Sequence, residues 1–211
     1  RRMEAQGWRQ FRARMGVVAE RLGLRTDLAP EQLDDGHIAS GEGFLFIGPP
    51  KGEARARQKV RAKLGGDWSA LNDLVRGTIS VASFRDIRRA VRAVRATGMQ
   101  LVQKPDDRFR RPEPTGYRDL MIHVRLPNGM VAEIQFHLKA LTAVKPRAHR
   151  YYVVERDLQA RYGDCAPKHW SVADRTRFHA ARQAPRALHD RAWDKARRLD
   201  AIHGAGPVIP G

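Results

Sequence analysis

A single cysteine, Cys165, stands among the 211 residues. It rules out an internal disulfide and any cage of several cysteines around zinc, so the fold must hold without staples. No apolar run approaches the roughly 20 residues of a membrane span, and no charged-then-apolar leader opens the chain. A Gly-rich loop ending in Lys-Ser or Lys-Thr is missing, which excludes a P-loop kinase. Internal repeats and low-complexity tracts are missing too. Acidic residues are scarce: 23 Asp and Glu face 40 Lys and Arg, a formal charge of +17. Such a surface attracts polyphosphates and nucleic acids, although arginine-rich helix faces also supply part of the balance as plain solvated surface.

What is present is a globular composition, 42% apolar, with a core stretch flanked by helical segments. Trp8, Phe11, Met15, Val18 and Leu22 recur at helical spacing over 4–24. A polar stretch from Thr26 to Glu42 follows, then a short buried strand over 43–48 stopped by Pro49-Pro50. Residues 52–64 read as a basic helix ended by Gly65-Gly66, and 74–81 as a second apolar strand. Ser83 is placed to cap a helix over 84–97, with Ile87, Val91 and Val94 inward and five arginines outward. Residues 99–104 read as a strand and 105–115 as a charged loop. Leu120 to Leu126 and Met130 to Phe136 alternate across Pro127-Asn128-Gly129, a hairpin signal. From Leu138 the pattern is helical, with breaks expected near 163–167 and at Pro185, and 204–211 reads as a frayed tail. The fold class expected is α+β: a mixed sheet with helices packed on it and helical extensions at both ends. The divisions are 1–42, an N-terminal helical extension; 43–158, the core; and 159–211, a C-terminal helical extension. The opening Arg1-Arg2, without a methionine, reads as a piece of a longer protein.

Phosphoryl-type transfer needs cations for a polyphosphate, carboxylates for a divalent ion and a platform for a base. Asp73 immediately precedes a strand. Glu133 sits inside the second hairpin strand, where an acid must be paired, bind a metal or face water; Gln135 shares its face. Lys51, Arg55, Arg57 and Lys59 follow the Pro-Pro turn, placed to grip phosphates at a helix N-terminus.

Lys51, Lys59, Asp73, Gly116-Tyr117-Arg118, Glu133-Ile134-Gln135 and His149, in this order, resemble the synthetase domain of RelA/SpoT-type alarmone synthetases over about residues 43–158. The resemblance implies a nucleotidyltransferase-like sheet that moves the β,γ-pyrophosphate of ATP to a nucleotide 3′-hydroxyl, with Mg²⁺. It implies Asp73 and Glu133 as catalytic and metal-binding groups, and Lys51, Arg55, Arg57, Lys59 and Arg76 as phosphate-binding cations. Tyr117, Arg118, Gln135 and His149 fall at the acceptor, Tyr117 stacking on its base. Departures from the family's pattern fall at Arg55, Thr78, Glu113, Thr115, Met121 and His137, so the acceptor need not be guanine. A (p)ppGpp- or (p)ppApp-like product is implied, with the tRNA 3′ end as an alternative acceptor and a non-catalytic RNA-binding module as an alternative of another class.

Three readings stay open from the residues alone. Tyr117 also fits a loop aromatic packed on the core, and His149 a helix-surface histidine. His189-Asp190 has no further histidine at metal-ligand spacing and reads as surface. The apparent excision and the helical extensions suggest a toxin domain acting in bacterial cytoplasm, delivered as part of a larger protein. An acidic immunity or antitoxin protein would then be its partner, and no membrane is involved.

Overall fold

A computed structural model describes residues 2–68 and 70–203; the tail expected to fray lies outside them. Helix α1 (Arg2–Leu22) buries Phe11, Met15 and Val18 completely. A short helix α2 (Asp35–Ala39), capped by the Asp34 carboxylate on His37 N, interrupts the polar stretch. Strand β1 (Phe44–Ile47), helix α3 (Glu53–Lys63), strand β2 (Val75–Val81) and helix α4 (Phe84–Arg95) come next. Ser83 caps α4 by accepting from Asp86 N, as the sequence predicts.

The strand expected over 99–104 shrinks to β3 (Gln100–Leu101), because Gln103 turns to bond His123 and Pro105 follows. The charged loop carries a two-residue strand, β4 (Asp106–Asp107). The hairpin is formed by β5 (Leu120–Arg125) and β6 (Val131–Leu138). Helix α5 (Lys139–Tyr162) and helix α6 (Val172–His203) complete the chain. Pro185 does not break α6. The lost hydrogen bond and ring clash cost about 3 kcal/mol, and Phe178, Ala181, Ala192 and Ala196, buried on both sides of it, hold the helix through.

The sheet runs β1-β2-β6-β5-β3, with β4 also on β5. Among the described strands β2 and β6 pair parallel and the other pairs are antiparallel. Alternation then sorts the strands. Val75, Ile79, Ala132, Ile134, Phe136, Leu120, Ile122 and Val124 are buried in the main core together with Phe11 and Met15 of α1 and Ile87 and Val94 of α4. Gly77 lies beneath Phe11, where a Cβ would sit 3.0 Å from the ring. The opposite parity is polar: Arg76, Thr78 and Ser80 on β2 face Glu133, Gln135 and His137 in register on β6, and His123 on β5 faces Glu133. Helix α5 reaches this second face through Thr142, whose hydroxyl meets Ser80 Oγ at 2.7 Å.

Lys139 ties α5 to α2. Its ammonium donates to His37 O at 2.8 Å, to Ser40 Oγ at 3.1 Å and to Ser40 O. Burial lowers its pKa from 10.5 to about 8. Between those values the unfolded chain keeps a proton that the folded one has released, so stability rises with pH across that window. Chemical denaturation at pH 8 and pH 10 is expected to show the rise, and Lys139→Met to reduce it.

Candidate active site

Lys51 follows the Pro-Pro turn and is held beside the entry to β2 by Lys51 N donating to Leu74 O at 2.9 Å. A small cluster of Ala56, Val60 and Leu71, with Leu64 and Leu74 against it, fixes α3 over the same segment. Lys51 and Lys59 therefore converge on one oxygen of Asp73: Lys51 Nζ donates to Oδ2, and Lys59 Nζ lies 2.9 Å from it. Burial by itself would raise the Asp73 pKa, but the two ammonium groups outweigh it and hold the carboxyl below its ordinary 3.8. Asp73 Oδ1 is buried and has no partner.

Glu133 lies on the same side. Its Oε1 accepts from Gln135 Nε2 at 2.8 Å, and its Oε2 is 3.9 Å from His123 Nε2. Both Glu133 and Asp73 are within electrostatic reach of the His123 ring, as is Lys59. Burial outweighs these carboxylates and lowers the His123 pKa, so the ring is neutral at pH 7. Arg76, next to Glu133 in register, is exposed and acts on Lys51, Lys145 and His149. On α3, Arg55 acts on His149 across the cleft. Arg57, two residues on and so on the other side of the helix, is tied to Glu53 at 2.6 Å and faces Trp68.

An orphaned carboxylate oxygen beside a second carboxylate suits a hard cation such as Mg²⁺, which takes one or two protein carboxylates and completes its shell with phosphates and water. Among the described residues no cluster of three or more His, Cys, Asp or Glu could hold an ion by itself.

The loop from Thr115 to Asp119 packs against His137 of β6 and His189 of α6. Tyr117 donates to Asp119 Oδ2 at 2.9 Å and lies 3.2 Å from His137 Nε2. Its ring meets His137 and His189 edge-on, with centroids 5.6 and 5.8 Å away. Burial first, and Asp119 second, hold the phenol well above its ordinary 10. Arg108 anchors the loop through Asp106 at 2.6 Å, Glu113 at 3.0 Å and Asp119 at 2.8 Å.

No protein-family model and no curated protein matches this sequence. Solved structures match along almost the whole chain. Small alarmone synthetase 2 from Bacillus subtilis aligns with a TM-score of 0.59 and 14% identity, covering 94% of this chain and 93% of that one. Small alarmone synthetase 1 from Bacillus subtilis, bound to its product pppGpp, gives 0.55 and 17%, covering 95% and 90%. A GTP pyrophosphokinase family protein from Streptococcus pneumoniae gives 0.54 and 14%, covering 95% and 92%. The chain has the alarmone synthetase fold.

On that alarmone synthetase fold, Lys51, Lys59, Asp73, Arg76, Glu133 and Gln135 gather on one side of the sheet, with Arg55 and His149 facing them from α3 and α5. Arg118 points elsewhere: its guanidinium lies 4.7 Å over the Trp193 ring of α6 and donates to Phe109 O at 3.3 Å. His189, read as surface, is instead buried beneath the loop, with Nδ1 2.8 Å from Thr115 O. No local pattern signals this contact, because α6 reaches the loop from over 70 residues away. Around the same site the structure adds His123, Arg108 and Lys145, together with Asp119 and His137, which stand where the family's pattern has other residues. A signal existed for His123 and His137: both have the polar parity of the hairpin that carries Glu133 and Gln135.

Gly116 has φ of +77°, and a Cβ there would lie 3.1 Å from His189 Cβ. Gly116→Ala therefore combines about 1–2 kcal/mol of left-handed backbone cost with a clash against α6. A lower melting temperature is expected, together with displacement of Tyr117, read as a changed near-ultraviolet circular dichroism spectrum.

Proposed function

We propose that this protein is a nucleotide pyrophosphokinase that moves the β,γ-pyrophosphate of ATP to the 3′-hydroxyl of a purine nucleotide. The observation that carries this reading is the position of Asp73 and Glu133 on one side of the sheet beside Lys51 and Lys59, with Asp73 Oδ1 buried and unpartnered. The alarmone synthetase fold supports it, and so does the +17 charge. In this reading Lys51, Lys59, Arg55 and Arg76 neutralise the polyphosphate and hold the β-phosphorus in line with the acceptor. The acceptor 3′-oxygen bonds to that phosphorus, the bond to the α,β-bridging oxygen breaks, and AMP leaves with that oxygen. Glu133 takes the hydroxyl proton. Tyr117 and its loop border the acceptor. Mg²⁺, held by Asp73 and Glu133, would supply charge neutralisation on the transferred group.

The test is incubation with γ-labelled ATP and Mg²⁺ in the presence of GDP, GTP, ADP, ATP or bulk tRNA. Label in a small nucleotide with AMP released supports this reading and names the purine. Label in tRNA moves the acceptor to its 3′ end. No label and no AMP would overturn catalysis and leave a basic binding module. We also propose that the chain is a toxin domain neutralised by an acidic partner protein, a reading that the +17 charge supports. Expression in bacterial cytoplasm is then expected to arrest growth, and Glu133→Gln to relieve the arrest.

A further inference from the structure

One cation in the site lies apart from the phosphate-gripping set. Lys145, half-buried, is on α5, on the same stripe as Thr142 and His149, and its ammonium lies against β6. It donates to Gln135 Oε1 at 3.0 Å and lies 3.1 Å from His137 Nε2. Burial outweighs its acidic neighbours and lowers its pKa to about 8, and burial likewise holds His137 neutral; since an ammonium has donors alone, the Nε2 that faces it is the acceptor nitrogen of that ring.

A carboxamide has nearly the same shape either way round, so what fixes its orientation is the chemistry of its partners. A lysine has three donors and no acceptor. Facing Lys145, Gln135 must present its oxygen, and its NH₂ end is then turned to Glu133 Oε1, 2.8 Å away. Flipped, the amide oxygen would confront the carboxylate and its NH₂ would confront the ammonium. Each contact would be repulsive.

We propose that Lys145 is a positioning residue: it selects the orientation of the Gln135 carboxamide and thereby fixes the Glu133 carboxylate for transfer. The proposal rests on the reading of Glu133 as the group at the acceptor hydroxyl. It needs no contact between Lys145 and either nucleotide.

Lys145→Met keeps the length and removes every donor. It is expected to lower kcat by about 10–100-fold, as outer-shell supports of a site commonly do. Affinity for a non-hydrolysable ATP analogue, measured by calorimetry, is expected to hold, since Lys51, Lys59 and Asp73 are untouched. In a Gln135→Leu background the same substitution should add less than about twofold, because two residues acting through one bond are not additive. A second readout is independent of activity. The Gln135 side-chain amide resonances, assigned by their loss in Gln135→Leu, are expected to shift in Lys145→Met. Lys145→Gln, which both donates and accepts and so no longer selects the oxygen, should change kcat and the resonances in the same direction without an apolar side chain beside His137.

Near wild-type kcat in both Lys145 variants, losses that multiply in the double variant, or unmoved Gln135 resonances would each overturn the proposal. Should the wild type transfer label to no acceptor, the functional reading fails alone, and the amide resonances still decide whether Lys145 orients Gln135.

Discussion

Glu133→Gln is expected to lower pyrophosphoryl transfer by about 10²–10⁴-fold, the usual worth of a positioned general base. The replacement keeps the shape and removes the charge. It leaves intact the strand that carries the residue, because Ile134 and Phe136 are packed on the other face of β6. The melting temperature should therefore change little while turnover collapses, and that contrast separates chemistry from folding. The contact with Gln135 changes as well: a carboxylate accepts from Nε2, whereas an amide meets it with either end. Activity within a few-fold of wild type would remove Glu133 from the reaction.

Asp73→Asn is expected to damage activity and stability together. Lys51 and Lys59 converge on a single carboxylate oxygen, and the Lys51 and Asp73 side chains are only 14% and 12% exposed. An amide leaves two neighbouring ammonium groups facing each other without a counterion. Loss of a charged partner at a largely buried site costs about 1–3 kcal/mol, visible as a lower midpoint in urea. Transfer should fall by about 10²–10³-fold, the rate equivalent of several kcal/mol of lost charge stabilisation. The wild type carries a matching pH signature. Because the folded Asp73 pKa lies below 3.8, its contribution is complete above the ordinary carboxylate value and is lost as pH falls through the lower, folded one. Acid titration of stability in wild type and Asp73→Asn should differ in that window and run parallel above it.

The two substitutions probe different parts of the site. Asp73 precedes β2, is already paired with cations and has one oxygen left over. Glu133 is mid-strand, hydrogen-bonded by the Gln135 amide and approached by a neutral histidine. The residue shortly before β2 and the middle of the adjacent strand β6 thus offer two carboxylates in different environments.

Local rules written in the sequence determined most of the elements. Helical spacing gave α1, Ser83 gave the start of α4, and strict alternation across Pro127-Asn128-Gly129 gave the hairpin, because each depends on neighbours within a turn or a strand pair. The same alternation put Glu133 and Gln135 on one face, and the order of Lys51, Lys59, Asp73, Tyr117 and Glu133 pointed to the fold. Only the tertiary structure decided how β2 and β6 pair, since a parallel register joins residues far apart in sequence and leaves no periodic trace. That pairing brings Arg76 beside Glu133. It also took the folded chain to show that α6 runs unbroken through Pro185 and buries His189 under Gly116. Packing along both sides of a helix outweighs a local penalty that the sequence displays plainly. Lys145 is the sharpest case: in the sequence it is one lysine among many. Its place beside Gln135 and His137 changes its meaning, because a donor without acceptors dictates which way its neighbour must turn.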